Sequence, residues 1–113
     1  AAPIGDVIAV VDDLGELSSA DEVRSLVTSV RERLAAQAAV VALAARVDGK
    51  PVVIVATTPA AREAGAKAGA LVKVAATELG GGGGGKDDMA QGGGANATAI
   101  PAALDGIRRA LKG

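Results

Sequence analysis

Apolar and polar positions in the first part of the chain predict a strand followed by a helix. The short apolar run DVIAVV, from Asp6 to Val11, precedes the acidic turn DDLGE, which is typical of a buried strand. Ser19 stands three residues before Glu22, the spacing of a capping box at a helix start. Apolar residues then recur at helical intervals, as a stripe made of Val23, Leu26, Val27, Val30 and Leu34. We expect a solvated opposite face that carries Arg24, Arg31, Glu32 and Arg33.

The middle of the chain predicts a β-hairpin. Two runs rich in strand-forming residues, Ala39 to Arg46 and Pro51 to Thr57, flank the dipeptide Asp48-Gly49. Asp-Gly between two such runs is among the strongest short signals for a hairpin turn. Thr58-Pro59 follows and predicts a short helical turn, because proline is favoured at the first position of a helix.

The segment GAKAGALVKVAATEL predicts a second helix. Its interior ALVKV would also suit a strand, but Leu71, Ala75 and Leu79 share one helical face. Gly80 then occupies the position of a left-handed helix C-cap, which favours the helix.

A last helix is predicted near the end of the chain, with Asn96 or Thr98 as its cap. Its buried stripe consists of Ile100, Ala103, Leu104, Ile107 and Leu111. Three cations in the last turn suit the helix macrodipole without any ligand, namely Arg108, Arg109 and Lys112.

The amino-acid composition limits the kinds of functional site that the chain can form. Of the 113 residues, 50% are hydrophobic and none is aromatic, so the core must be built from small and β-branched side chains. The absence of cysteine excludes disulfides and thiolate metal sites, and the absence of histidine removes the usual general base and the commonest metal ligand. We therefore expect no catalytic residue, no metal and no cofactor. No apolar run reaches the roughly 20 residues of a spanning helix, so we expect a soluble, cytoplasmic chain without a membrane partner, folded as one domain over residues 1–113.

Charge is distributed unevenly although the net charge is only -1. Residues 1–48 carry more acids than bases, and residues 49–113 carry more bases than acids. A polyanionic partner would therefore meet the second half of the chain.

The glycine-rich motif GGGGGGKDDMAQGGG, residues 80–94, first suggests a phosphate-binding loop. Gly80 to Gly85 followed by Lys86 satisfies the Walker A pattern except at its last position, where Asp87 replaces the hydroxyl residue that binds magnesium. A helix rather than a strand is predicted before it, and any glycine pattern fits six glycines in a row. We reject a nucleotide-hydrolysing site.

A flexible linker is the second interpretation of this motif, since glycine-rich tracts usually behave as random coil. A third interpretation is favoured by the two glycine clusters, which flank a hexapeptide that contains Met89 and Gln91. In this interpretation the glycine backbone closely approaches a ligand or a neighbouring element, or repeatedly adopts positive φ, beside a short strand at residues 89–91. Whether the glycines face a ligand or the neighbouring helices stays open at this point.

The motif resembles the closing motif of the C-terminal domain, C-Ala, of the alanyl-tRNA synthetase family, one of the DHH-associated nucleic-acid-binding domains. The resemblance includes the interior Lys86, Asp88, Met89, Ala90 and Gln91 and the following IPAALDGIRRAL. It extends over nearly the whole chain, since the acidic opening strand, the VRSLVTSVRERL helix and the VDGKPVVIVATT hairpin come in the family's order. Related phosphoesterases carry a glycine motif that ends in histidine, which this chain lacks.

The resemblance implies a noncatalytic module that binds tRNA(Ala) at its outer corner, the elbow, and supports aminoacylation and editing by catalytic and editing domains of a parent synthetase. It also implies, in some members, a homodimer, and a dimerisation module is our alternative. The expected fold is α/β: a single small domain with a mixed sheet and packed helices in the order β-α-β-β-α-Gly loop-β-α.

Recognition of RNA would rest on backbone N–H groups, phosphate contacts and shape, because no aromatic side chain is present to stack on bases. The first candidates for the RNA contact are Gly81, Gly82, Gly83, Gly84, Gly85, Lys86, Gln91, Gly92 and Gly93. The second candidates, for which ordinary surface charge is the alternative, are Lys73, Arg108 and Arg109.

Overall fold

The computed structural model describes residues 2–4 and 7–112 of the chain. Its strands are β1 (Ala2–Ile4), β2 (Val7–Glu16), β3 (Ala39–Val47), β4 (Lys50–Thr57), β5 (Gly83–Gly85) and β6 (Met89–Gly93). Its α-helices are α1 (Ala20–Arg33), α2 (Pro59–Glu63), α3 (Ala68–Glu78) and α4 (Ile100–Lys112), and one 3₁₀ turn (Ala97–Ala99) precedes α4.

The described strands form a single mixed sheet in the order β1-β2-β3-β4-β6-β5. Strands β2 and β3 are parallel and are joined through α1, whereas every other neighbouring pair is antiparallel. A mixed sheet with packed helices confirms the predicted α/β class, and the predicted hairpin and the strand at residues 89–91 are both present.

Helices cover both faces of the sheet. On one face, Val23 and Val27 of α1 pack against residues of the sheet that include Val41, Leu43 and Ile54. On the other face, α3 and α4 contribute a larger apolar cluster, with Leu71, Val72, Leu79, Ile100, Ala103, Leu104 and Ile107. Because β3 is sandwiched between these layers, its first seven residues, 39–45, are all buried. The predicted stripes of α3 and α4 therefore form the core of that face.

The start of α1 follows the predicted capping box with one difference. The Oγ of Ser19 accepts a hydrogen bond from the backbone N–H of Glu22 at 3.4 Å. The carboxylate of Glu22 in turn accepts from the N–H of Ser18, one residue before the cap, at 2.9 Å. Contacts with the side chain of Ser18, and then with its backbone N–H, hold the pKa of Glu22 below its ordinary value. The first-turn amide of Glu22 and the amide of Ser18, just before the helix, are thus both satisfied.

Two other local predictions are confirmed by backbone geometry. Asp48 and Gly49 have φ of 53° and 77°, the pair of positive values that a two-residue type I′ hairpin turn requires. Gly80 follows α3 with φ of 74°, the left-handed conformation expected just beyond a helix end.

Two predictions about the sheet and α1 were wrong, and two short strands were not predicted. The opening strand does not stop at Val11, because β2 continues through the acidic segment and keeps its parallel pairing to β3, with a register shift between Asp13 and Glu16. The short strands β1 and β5 were not expected. Leu26, assigned to the buried stripe of α1, is 44% exposed, because its position on the helix points away from the sheet. The predicted strand start at Asp6 lies outside the described residues.

Replacing Ser19 by alanine should destabilise the chain by about 1 kcal/mol, because the amide of Glu22 loses its cap acceptor. Ser25→Ala, in the exposed middle of the same helix, is the matched control and should be neutral or stabilising by up to about 0.5 kcal/mol, because alanine has the higher helix propensity. Urea unfolding of both variants measures the difference. Equal unfolding midpoints would show that the Ser19 cap contributes nothing.

Candidate functional site

The glycine run does not form a loop throughout, since Gly83–Gly85 pair with β6 as the edge strand β5. Alternate glycines of this run have no room for a side chain. A Cβ at Gly83 would lie 2.6 Å from the Cα of Gly92, and one at Gly85 would lie 2.7 Å from the Cα of Ala90. A Cβ at Gly82 or Gly84 would meet nothing within 4 Å. One set of glycines therefore permits the close contact with β6, and the other faces open space.

The two glycine clusters pass each other at the end of α3. The N–H of Gly81 donates to the carbonyl of Ala76 at 3.0 Å. The carbonyl of Leu79 accepts from the amides of Ala95 and Asn96, both at 3.1 Å, and the Cα of Gly94 lies so close to this carbonyl that a Cβ would overlap it. The motif thus approaches the last turn of α3 as well as β6.

The turn Lys86–Asp88, called the KDD turn below, is fixed by its backbone carbonyls. The carbonyl of Lys86 accepts from the N–H of Gly69 at 3.1 Å, and that of Asp87 accepts from the N–H of Ala68 at 2.9 Å. Both donors lie in the first turn of α3, where backbone amides have no acceptor within the helix. The KDD turn therefore acts as a cap for α3, whose preceding residue makes no side-chain capping bond.

Strand β4 and helix α1 hold the same turn from the other side. The buried Thr57 donates its hydroxyl to the carbonyl of Asp87 at 2.6 Å and its backbone N–H to the carbonyl of Asp88 at 3.0 Å. The Nη1 of Arg31 donates to that same carbonyl of Asp88 at 2.8 Å. Every carbonyl of the KDD turn is thus engaged, while the residues Lys86, Asp87 and Asp88 are exposed and project their charges into solvent.

A shallow groove of about 410 Å³ lies beside β5 on the face of the sheet that α1 covers. We call it the glycine groove; among the residues that line it are Arg24, Gly84, Gly85, Lys86, Asp88 and Gln91. The guanidinium of Arg24 donates through Nη2 to the side-chain oxygen of Gln91 and lies 3.3 Å from the carboxylate of Asp21. Its side chain is still 48% exposed, so the cation remains accessible from the groove.

The predicted contact residues fall into different places. Lys86, Gln91 and two of the glycines meet in the glycine groove. Gly92 is buried against Ala76 of α3, and Gly93 is half-buried in β6. The three cations of the second group lie on α3 and α4, outside the lining of this groove: Lys73, Arg108 and Arg109.

These three cations also differ in their exposure and in their contacts within the chain. Lys73 and Arg109 are exposed. Arg108 is engaged within the chain, since its guanidinium bonds to the carboxylate of Asp105 at 2.7 Å and to the carbonyl of Val11 at 3.2 Å. These contacts join α4 to β2, and the side chain remains 41% exposed.

Arg24 and Arg31 were interpreted from the sequence as solvated surface; Arg24 is exposed and Arg31 is half-buried, and each also makes a contact that the sequence analysis did not predict. Both reach the glycine-rich motif, whereas Glu32 and Arg33 on the same helix are exposed. The signal that could have identified them is their spacing of seven residues, which places them two turns apart on one side of α1.

Two further features, a metal-binding group and a membrane-spanning helix, are absent from residues 2–4 and 7–112. No group of three or more carboxylate, histidine or cysteine side chains there is arranged to hold a metal ion. In the same part of the chain, no helix has the length and apolar character needed to cross a membrane.

Comparison with known proteins identifies relatives over almost the whole chain. A model of the DHHA1 domain family matches residues 6–113. An alanine–tRNA ligase of Leifsonia xyli subsp. xyli is 61% identical over 107 residues, which cover 95% of this chain and 12% of that protein. One of Renibacterium salmoninarum is 56% identical over 111 residues, which cover 98% of this chain and again 12% of the relative. The chain therefore spans about an eighth of the length of these relatives.

A solved structure has the same fold. The C-Ala domain of Aquifex aeolicus alanyl-tRNA synthetase superposes with a TM-score of 0.86 and 27% sequence identity, covering 98% of this chain and 96% of that one. The match extends over the sheet, the helices and the glycine-rich motif.

Crowded and open positions alternate along the glycine run, which predicts different effects for substitutions at neighbouring glycines. Gly83→Ala should destabilise the chain by about 1–3 kcal/mol, because its Cβ would overlap backbone atoms of β6. Gly84→Ala should be neutral or stabilise by about 0.5 kcal/mol, since its Cβ enters open space and alanine reduces the entropy of the unfolded chain. Urea unfolding of the two variants, one residue apart, checks this. Equal stabilities would contradict the close packing of β5 on β6.

Proposed function

Because this chain belongs to the DHHA1 domain family, we propose that it binds tRNA(Ala) as the C-terminal domain of an alanine–tRNA ligase. The resemblance inferred from the glycine-rich motif is confirmed by the family match, by the relatives and by the solved C-Ala domain. The domain is a noncatalytic part of the synthetase. Alanine activation, transfer to tRNA and editing belong, in this proposal, to other parts of a cytoplasmic parent protein.

The observation that carries the proposal is the meeting of bare backbone and two cations in the glycine groove. Gly84 and Gly85 present backbone without a side chain, and Lys86 and Arg24 contribute positive charge at the same groove. The alternation of the β5–β6 ladder directs the N–H of Gly84 to Gln91 and leaves that of Gly85 at the open edge. Backbone amides that lack shielding side chains can approach phosphate oxygens closely, and nearby cations strengthen such contacts.

The composition of the surface favours a folded RNA over a single strand. The chain has no aromatic residue on which unpaired bases could stack. Recognition by shape and phosphate contact suits a folded corner such as the tRNA elbow, which we propose as the contacted region.

Nearby carboxylates limit the number of phosphates that this surface can bind. Asp87 and Asp88 are exposed beside Lys86, and Asp88 also lines the groove. Like charges repel phosphates, so only a few phosphates that fit between these side chains would be bound. Such an arrangement disfavours indiscriminate binding of polyanions.

The proposed contact includes secondary residues at other places. Lys73 and Arg109 are exposed and would extend it along α3 and α4. The self-association alternative has weaker support, because the two large hydrophobic residues that are clearly exposed in the described part of the chain, Leu26 and Val74, lie on helices that cover opposite faces of the sheet.

Replacing Lys86 by glutamine should weaken binding of tRNA(Ala) and reduce the slope of log K against log salt by about 0.9, the value for one lost phosphate contact to a double-stranded region. Arg24→Gln should act in the same direction. Lys50→Gln is the matched control, because Lys50 is an exposed lysine at the opposite end of β4. Titrations of each variant with tRNA(Ala) at several salt concentrations measure both quantities.

Equal slopes for Lys86→Gln and Lys50→Gln would contradict the assignment of the groove as the RNA contact. A wild-type chain that fails to bind tRNA(Ala) even at low salt would contradict the proposed function itself.

A further inference from the structure

A second cavity lies on the other side of the KDD turn, and it contains two arginines. It has a volume of about 240 Å³, and it is formed by α1, the end of β4 and α2. The residues that matter in it are Arg31, Arg62, Thr57, Glu32 and Asp88. We call it the arginine cavity. It is distinct from the glycine groove, although Asp88 borders both.

Backbone carbonyls hold the two guanidinium groups in place. The Nη1 of Arg31 donates to the carbonyl of Asp88 at 2.8 Å, and the Nη1 of Arg62 donates to the carbonyl of Thr57 at 2.6 Å. The two acceptors are themselves adjacent, because the N–H of Thr57 donates to the carbonyl of Asp88 at 3.0 Å. Both arginines therefore converge on one junction between β4 and the KDD turn.

The charge of these arginines is not neutralised by a direct partner. Within residues 2–4 and 7–112, neither guanidinium forms an ion pair, although Glu32 and Asp88 border the cavity. Each arginine has bonds from Nη1 alone, which leaves its remaining N–H donors unengaged by the residues the structure describes. Two cations that share a cavity repel each other, and an anion between them removes that repulsion.

We propose that the arginine cavity is a phosphate-binding site. A phosphate group presents several strong acceptor oxygens in tetrahedral directions, so it can accept from two separate guanidinium groups at once. A carboxylate has two oxygens in one plane, which suit a single arginine fork. Since a water molecule occupies about 30 Å³, the cavity has room for a phosphate together with retained waters.

The proposal is independent of the RNA contact in the glycine groove. The phosphate can be that of a free phosphate compound or one in an RNA backbone, and both present the same oxygens. Inorganic phosphate is therefore the probe for the site itself, and RNA is the probe for the source.

The first test is thermal unfolding of the chain with inorganic phosphate against chloride at matched ionic strength. Phosphate should raise the Tm, because a ligand bound to the folded state stabilises it. The double variant Arg31→Gln with Arg62→Gln should bind phosphate at least about tenfold more weakly, since it loses two charged hydrogen-bond donors. Glutamine keeps a polar side chain at each position and removes the charge.

The matched control is the double variant Arg33→Gln with Lys50→Gln, which removes two exposed cations that line neither the arginine cavity nor the glycine groove. It should keep the phosphate-dependent rise in Tm. The proposal is overturned if phosphate stabilises the wild type no more than chloride does, or if the cavity variant responds as the wild type does.

A third variant tests the proposal even if the double variant unfolds. Asp88→Asn removes a carboxylate at the cavity and leaves the backbone carbonyl in place, so phosphate should bind several-fold more tightly. Unchanged or weaker binding would contradict an anion site at this position.

RNA then identifies the source of the phosphate. If it is an RNA backbone phosphate, the cavity variant should also lower the salt slope of tRNA binding by about 0.9. If inorganic phosphate binding is lost while that slope stays unchanged, the ligand is a free phosphate compound. If the chain binds inorganic phosphate but no tRNA, the proposed RNA function fails and the phosphate site stands.

Discussion

The close contact between the backbone of β5 and that of β6 constrains the rest of the site. At Gly83 and Gly85 the neighbouring backbone lies where a Cβ would be, so no other residue type fits without displacing a strand. This contact places β5 at the edge of the sheet and directs the chain into the KDD turn. Six glycines in a row are entropically costly to order, and the hydrogen bonds and packing of this edge offset that cost.

The KDD turn connects the sheet with the helices on both of its faces. Its carbonyls accept from the first turn of α3, from Thr57 at the end of β4 and from Arg31 on α1. Because the backbone is held in this way, its charged side chains are left for solvent. Cations then lie on both sides of the turn, with Arg24 and Lys86 in the glycine groove and Arg31 with Arg62 in the arginine cavity.

Local signals made most of the fold predictable from the sequence. Ser19 with Glu22 identified the start of α1, and Asp48-Gly49 identified the hairpin, because each depends on residues close in sequence. Strand β5 could not be predicted, since glycines have no side-chain alternation to indicate a strand. Leu26 was misplaced because the apolar stripe of α1 is narrower than its periodicity suggested.

The candidate site was only partly predictable for a related reason. Lys86 and Gln91 were selected from the motif and do meet in one groove. Their partner Arg24 is 67 residues from Gln91 in sequence, and Arg108 is 97 residues from the carbonyl of Val11 that it bonds. Contacts across such distances depend on the order of strands in the sheet, which hydrophobic periodicity does not contain.

Amide hydrogen exchange in the ligand-free chain tests the central claim most directly, namely that hydrogen bonds within the chain fix the KDD turn without a ligand. First-turn amides of a helix normally exchange fast, because they lack an acceptor within the helix. Ala68 and Gly69 should instead be protected, since they donate to Asp87 and Lys86, whereas Asp21, which occupies in α1 the position that Gly69 occupies in α3, should exchange fast. Exchange at Ala68 and Gly69 as fast as that at Asp21 would show that the turn is not held in the absence of a ligand.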